Sequence, residues 1–268
     1  RLRGLVLYEN ELWPGWLAAL RARGVPVVLL DASLSARSLR FWRRWPGLTA
    51  SVGAGLSRVT AADSGQRQAL DALGWGPVHQ TPPLKLVGSA LPVDPAELAR
   101  WRHWRRKGAP LLVFANVHPG EIRAVEGMIA GWMALVAGTA GSVRTDTDRA
   151  DVQIIVAPRH PEKLARFRQA LGGEGPGFAY WTGFGTLGTL YALGGIVVIG
   201  GGFDAKVGSH NPMEALRAGC VTVCGPHSGK QAALIALLEA EGLIAHWAEL
   251  TSAGDVGVEA QFTAPQIR

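Results

Sequence analysis

The 268 residues are 48% hydrophobic and only 18% charged, which excludes a globally disordered chain and leaves room for one large or two ordinary α/β domains. Lys and Arg outnumber Asp and Glu by 27 to 21, a formal charge of +6, yet no RNA- or DNA-binding motif accompanies that excess, which argues against nucleic acid as a partner. No apolar run reaches the roughly 18 residues that span a bilayer, and no signal-peptide pattern is visible.

Leu5–Tyr8 reads as a short strand ending in the acidic turn Glu9-Asn10-Glu11. Trp13-Pro14 starts a helix to Arg23, which Gly24 closes. The run from Val25 to Leu30 is a second strand, nearly all apolar, as a parallel sheet covered on both faces requires. A helix is expected over Ala32–Trp45, short strands over 51–53 and 57–60, and a helix over Asp63–Leu73. Pro82-Pro83, Gly88 and Pro92–Pro95 form the clearest linker, so the expected domains are 1–85 and 86–268. Beyond it the spacing predicts a helix from Pro95 to Lys107, a strand over Leu111–Asn116, a helix from His118 to about Val136, and a loop over Gly138–Arg149. A strand over Val152–Ala157 and a helix to Leu171 follow. From Ile196 to Lys230 come a strand, a glycine turn, a helix opening at His210-Asn211-Pro212, a strand and a Gly-Pro turn. Alternating strands and helices define a doubly wound, Rossmann-like α/β chain. Cys220 and Cys224 have no second pair beside them, so buried free thiols are expected rather than zinc.

Three turns stand at the carboxyl ends of predicted parallel strands, the edge where open α/β sheets bind ligands. His118-Pro119-Gly120-Glu121 meets a helix start, where backbone N–H groups favour an anion; it also suits a plain helix cap. Arg159, in Pro158-Arg159-His160-Pro161, offers planar paired donors for phosphate or carboxylate, or is a surface turn residue. Gly200-Gly201-Gly202 is the third turn, followed by Asn211 and Glu214 at a helix start. Glu214 could accept ribose hydroxyls or serve only as a first-turn acid. G-x-G-x-x-G, Walker A and G-x-S-x-G patterns are absent, which removes support for hydride transfer, ATP hydrolysis and serine hydrolysis. Glu9 and Glu11 form a carboxylate pair suited to acceptor binding or general-base work, or simply precede a helix. Arg37, Arg40, Arg43 and Arg44 adjoin Trp42 and Trp45; Arg100, Arg102, Arg105 and Arg106 adjoin Trp101 and Trp104. Both clusters read either as solvated helix faces or as surfaces for phosphate groups or an anionic membrane.

Taken together, these motifs resemble the Kdo transferases, which attach 3-deoxy-D-manno-octulosonic acid (Kdo) to the lipid A precursor. The family's Glu-Thr-Glu-Leu-Trp-Pro is matched by Glu9–Pro14, and its Ala-Arg-Leu-Ser-x-Arg-Ser by Ala32–Ser38. Its Gly-Asn-Leu-Lys is similar to Pro82–Lys85, and its His-x-Gly-Glu matches His118, Gly120 and Glu121. Pro158–Glu162 matches Pro-Arg-His-Pro-Glu, Gly208–Glu214 resembles Gly-Gly-His-Asn-Pro-Leu-Glu, and a Gly-Pro-His follows at Gly225–His227.

The resemblance implies a GT-B glycosyltransferase, two Rossmann-like domains facing a cleft, with an incomplete N-terminal one. Residues 1–85 would form the acceptor side and 86–268 the nucleotide-sugar side. CMP-Kdo would be the donor substrate, with no cofactor and no metal. Its contacts would come from His118, Gly120, Glu121, Arg159, His160, Gly201, Gly202, Asn211, Glu214 and Lys85. Glu11 or Glu9 would face the acceptor, while the family's membrane anchor and base would belong to sequence preceding Arg1, since both ends of the chain look cut. Transfer to lipid IVA by an inverting displacement, peripheral at the cytoplasmic face of the bacterial inner membrane, is the expected activity. Thr189 stands where the family's Met-Gly-Glu has its carboxylate, and Asn10, Ser33 and Pro83 also depart. These departures, with the missing base, keep open a catalytically incomplete paralogue that binds nucleotide or a partner protein. The motifs are also compatible with a GT-B enzyme using a UDP-sugar and with a generic nucleotide-binding domain.

Overall fold

The computed structural model describes residues 2–106, 108–139, 152–183 and 185–247. The chain divides into two compact units, Arg1–Gly88 and Ser89–Arg268.

In the first unit β1 (Leu5–Tyr8), β2 (Val27–Leu30), β3 (Arg58–Ala61) and β4 (Val78–Gln80) form a four-stranded parallel sheet in chain order. The connections carry α1 (Pro14–Ala22), α2 (Ala36–Arg44), α3 (Pro46–Gly53) and α4 (Ser64–Asp71). Leu17, Val27, Leu29, Val59 and Leu70 pack its core, each at most 1% exposed. Trp42 and Trp75 join that core edge to face at 5.3 Å.

Two expectations change here. The helix predicted over Ala32–Trp45 begins only at Ala36, because the Ser35 hydroxyl accepts the Ser38 N–H and caps it. The strand predicted over 51–53 lies inside α3, and its β-branched residues mislead because they belong to a buried helical stripe. Pro46 sits in the first turn, Thr49 and Val52 are three apart on the buried face, and the Thr49 hydroxyl donates to the carbonyls of Trp42 and Trp45.

The second unit opens with α5 (Pro95–Trp104), capped by the Asp94 carboxylate. Then come β5 (Leu111–Val117), α6 (Ile122–Thr139), β6 (Gln153–Pro158), α7 (Leu164–Leu171), β7 (Phe178–Tyr180) and α8 (Leu187–Tyr191). The chain finishes, within the described residues, with β8 (Ile196–Ile199), α9 (Met213–Arg217), β9 (Val221–Cys224), α10 (Ala232–Ala240) and β10 (Ala245–His246). All six strands are parallel, in the order β10-β9-β8-β5-β6-β7. Every residue of β6 and β8, and all but Asn116 in β5, is buried, since hydrophobic clusters cover both faces. Residues 138 and 139 of the expected 138–149 loop still belong to α6, and the rest of that loop lies outside the described residues. β7 and α8, three and five residues long, carry too short a periodicity for the sequence to announce.

The Arg-Trp cluster of α5 is not a solvent face. Trp101 and Trp104 pack against the core. The Arg105 guanidinium bonds the Leu193 carbonyl, and Arg106 donates its backbone N–H to Gln153 Oε1 (2.7 Å) and its guanidinium to the Pro176 carbonyl. In α2, by contrast, Arg37, Arg40, Arg43 and Arg44 are all exposed, as are Phe41 and Trp45.

Candidate functional site

The order of the second sheet fixes where a ligand edge falls. From β5 the chain winds outward through β6 and β7, then returns to β8 and winds the other way through β9 and β10. β5 and β8 are neighbours at that reversal, and a crevice opens outside their carboxyl ends. Four turns meet there: His118–Glu121 after β5, Arg159-His160 after β6, Gly200–Gly202 after β8 and Gly225–His227 after β9.

Glu121 ties two of these turns together. It is fully buried, and its Oε2 accepts the N–H groups of His118 (2.8 Å) and Gly201 (2.8 Å) while Oε1 accepts that of Phe203 (3.1 Å). Three backbone donors around one carboxylate satisfy a charge that would otherwise be costly to bury. Glu121 therefore holds the β5 and β8 turns in register, and its oxygens are committed to the backbone.

The glycines allow the turns to approach. Gly201 has φ +83, and a Cβ on Gly202 would come within 2.9 Å of the Gly225 N. His227 donates its N–H to the Gly202 carbonyl (3.0 Å), and Ser209 donates to the His227 carbonyl (2.8 Å). Gly120 is exposed, and a Cβ there would meet the Asp204 carboxylate.

Three histidines gather on this frame. Nε2 of His118 and Nε2 of His210 are 2.8 Å apart, with the rings stacked; His160 meets His118 edge-on at 5.5 Å between ring centres. Burial pushes His210 down to about 4, and His118 and Arg159 add to the effect. Burial also lowers His118, although Glu121 opposes it. Both rings are thus held neutral near pH 7 beside the permanent charge of exposed Arg159. Asn211 Oδ1 accepts the Met213 N–H (3.1 Å) and opens α9. Half-buried Glu214 stands in the first turn of α9, near enough to Tyr191 to help burial raise that phenol. The Tyr191 hydroxyl is buried without a hydrogen-bond partner among the described residues.

The acidic motif of the first unit takes another shape. Glu9 accepts from Lys85 Nζ at 2.6 Å, whereas exposed Glu11 accepts from its own Trp13 Nε1 at 3.2 Å. The two carboxylates thus have separate partners, and Lys85 lies in the first unit while the other donor residues lie in the second. Sequence reasoning missed Asp31. It is 8% exposed, sits at φ 51 just beyond β2, and its Oδ2 accepts the Leu84 N–H (3.1 Å) and the Tyr8 hydroxyl (3.4 Å). An acid directly after a predicted strand was the available signal. Thr189, where the resemblance predicts a carboxylate, is 1% exposed and its hydroxyl accepts the Asp94 N–H (2.9 Å).

The two units, each a parallel α/β sheet, have the fold of GT-B glycosyltransferases. That fold is shared with a solved structure described as "Trehalose-6-phosphate from E. coli bound with UDP-2-fluoro glucose", at TM-score 0.54 and 11% identity over 99% of this chain and 66% of that one. A structure titled "Trehalose-6-phosphate synthase. OtsA" matches at TM-score 0.53 and 11% identity over 98% of this chain and 64% of its own.

Residues 1–87 match the family described as 3-Deoxy-D-manno-octulosonic-acid transferase (kdotransferase), so the first unit belongs to that family. The homology continues through the second unit. The 3-deoxy-D-manno-octulosonic acid transferase of Bordetella pertussis is 32% identical over 83% of this chain and 53% of its own length. That of Haemophilus influenzae is 23% identical over 98% of this chain and 62% of its own. The chain thus spans about half the length of the curated relatives it matches.

Proposed function

We propose that this chain carries the nucleotide-sugar unit, and acceptor-side structure, of a Kdo transferase that moves Kdo from CMP-Kdo to a lipid A precursor, lipid IVA, in lipopolysaccharide core biosynthesis. The observation that carries this reading is the convergence of His118, Arg159, His210, Asn211 and Glu214 on the carboxyl edge of the second sheet. In this proposal the phosphate of CMP lies against Arg159, the histidines and the backbone N–H groups of the 200–202 turn, and Glu214 accepts from the ribose. His160 and Gly120 line the approach, and Glu121 acts by holding the turns. Lys85, from the first unit, would face the sugar carboxylate.

The reaction is an inverting displacement. A hydroxyl oxygen of the acceptor attacks the anomeric carbon of Kdo, the bond from that carbon to the phosphate oxygen breaks, and CMP departs with the electron pair. The acceptor's proton passes to a carboxylate. Between the two on the acceptor side, exposed Glu11 is the reachable one, since Glu9 is held by Lys85. Arg159 and the backbone donors neutralise the departing CMP without a metal ion or a cofactor. The exposed Arg-aromatic face of α2 supports peripheral contact with the anionic cytoplasmic face of the inner membrane. No helix among the described residues is long and apolar enough to cross a membrane.

Isothermal titration with CMP, UDP and CMP-Kdo tests the donor reading. CMP-selective binding that Arg159→Ala and Glu214→Ala each weaken is the expected result; UDP preference would point to another GT-B enzyme. One observation favours a second reading, a catalytically incomplete relative: Thr189 replaces a carboxylate and is spent on the Asp94 N–H. CMP binding with no transfer by the full-length gene product would identify it.

A further inference from the structure

The largest cavity found in the second unit, about 540 Å³, is not at the crevice described above; its lining includes none of His118, Arg159, His210, Asn211 or Glu214. It lies between α5 and β7 and takes in the start of the loop that leads from β7 to α8. Trp101, Trp104, Tyr180 and Trp181 supply its aromatic wall, and Glu97, Arg100 and Glu174 its charged groups. We infer that this cavity is a second, carbohydrate-binding site, for a neutral mono- or disaccharide.

The wall is rigid. Trp181 packs on Trp101 with ring centres 4.9 Å apart and donates its Nε1–H to Thr186 Oγ1 (2.9 Å). Tyr180 is held by its hydroxyl bond to the Gly172 carbonyl (2.8 Å). Trp101 donates to Glu97 Oε2 and stands edge to face with Trp104 at 5.5 Å. Trp101 and Trp104 nevertheless stay half-exposed at the cavity, so indole surface is presented there rather than used up in the core.

The ligand class follows from what the wall already contains. A cationic amine, the usual guest of an aromatic cage, would meet charges of its own sign. The Arg100 guanidinium lies 5.5 Å from the Trp101 ring centre, and Arg168 lies 5.8 Å from that of Tyr180. A purely apolar guest would desolvate Glu97 and Glu174 without compensation. A pyranose offers both faces of the problem. Its C–H face can lie on an indole, and its hydroxyls can donate to the two carboxylates and accept from Arg100.

The strand edge adds backbone groups. β7 is the last strand of the sheet and pairs with β6 alone. The Trp181 N–H is given to the Val156 carbonyl, so the alternation of a parallel ladder turns the amide of Tyr180 toward the open edge, where the cavity lies. The volume suits one or two sugar rings.

Saturation-transfer NMR of the whole chain with methyl glucoside, N-acetylglucosamine, lactose, choline and cytidine tests this. Weak saccharide binding, in about the millimolar range, is expected, and Trp104→Ala or Glu97→Gln should weaken it about tenfold. Circular dichroism should show both variants folded, and Arg159→Ala should leave the saccharide signal intact whether or not the chain binds CMP. Absence of saccharide transfer to the folded wild type, preference for choline or cytidine, or loss in Arg159→Ala but not in Trp104→Ala and Glu97→Gln would each overturn the assignment.

Discussion

Nε2 of His118 lies 2.8 Å from Nε2 of His210, and the two imidazoles are within 8° of parallel. One nitrogen must carry the proton and the other must accept it, so the contact exists only while at least one ring is neutral. Burial and the nearby Arg159 enforce that state, and an arriving anion would relax it.

Anion binding is therefore expected to take up protons. A phosphate beside the pair favours the charged imidazoles, so their bound-state values rise toward neutrality while the unliganded ones stay depressed. CMP affinity should increase as pH falls from 8 to 6. Calorimetry in buffers of different ionisation enthalpy should report net proton uptake, and His210→Gln should reduce it.

The unliganded protein should lose stability in acid by the same linkage. His210 and His118 have folded values below the unfolded one, so the unfolded chain binds more protons as pH drops. Their contribution is present above about 6.5 and is lost as pH falls toward 4. Thermal melting of wild type against His210→Gln across this window should show a shallower acid decline in the variant.

Glu121→Gln should be strongly destabilising. The amide can accept at one oxygen, but its N–H₂ faces donors that Glu121 now satisfies, leaving buried N–H groups of the two turns unpaired. A cost of about 3 kcal/mol in urea unfolding is expected, together with lost CMP binding in the fraction that folds.

Asp31 has the opposite sign of pH dependence from the histidines. Burial raises its carboxyl, only partly offset by the Leu84 N–H and Lys85. A raised folded value means that stability is present below the unfolded value and is lost as pH rises, so the ionised group is a burden at neutral pH. Asp31→Asn keeps an acceptor for Leu84 and should raise the melting temperature at pH 8 by about 2–4 °C, a gain that disappears near pH 4.

The two Arg-rich helices should behave differently toward lipid. Arg40→Glu with Arg43→Glu, on exposed α2, should abolish co-sedimentation with phosphatidylglycerol vesicles, since each surface Arg contributes about 1 kcal/mol there. Changes at Arg105 and Arg106 of α5 should lower stability instead, because those side chains are bonded within their own unit.

Much of this was legible in the chain. The near-continuous apolar runs at β2, β5, β6 and β8, each followed by a turn-forming residue, announce parallel strands buried on both faces. The motif residues His118, Arg159, Asn211 and Glu214 follow from the same reading, because residues after parallel strands share one edge. Some features were illegible for physical reasons. Thr49 and Val52 are β-branched in a helix, where tertiary burial outweighs propensity. β7 is too short for its period to register. The roles inside the motifs also depend on distant partners: that Glu121 serves backbone N–H groups, and that Glu9 is matched to Lys85 across 76 residues, no local pattern reveals.

The sequence by itself determined the class of fold, the strand-end positions of the motifs and their likeness to the Kdo transferases, since these depend on period, turn chemistry and residue identity. Only the tertiary structure decided which side chains are spent on the protein and which remain for a ligand. That choice rests on burial and on hydrogen bonds between residues far apart in the chain, as with Glu121 enclosed by three N–H groups and Arg159 left at the surface.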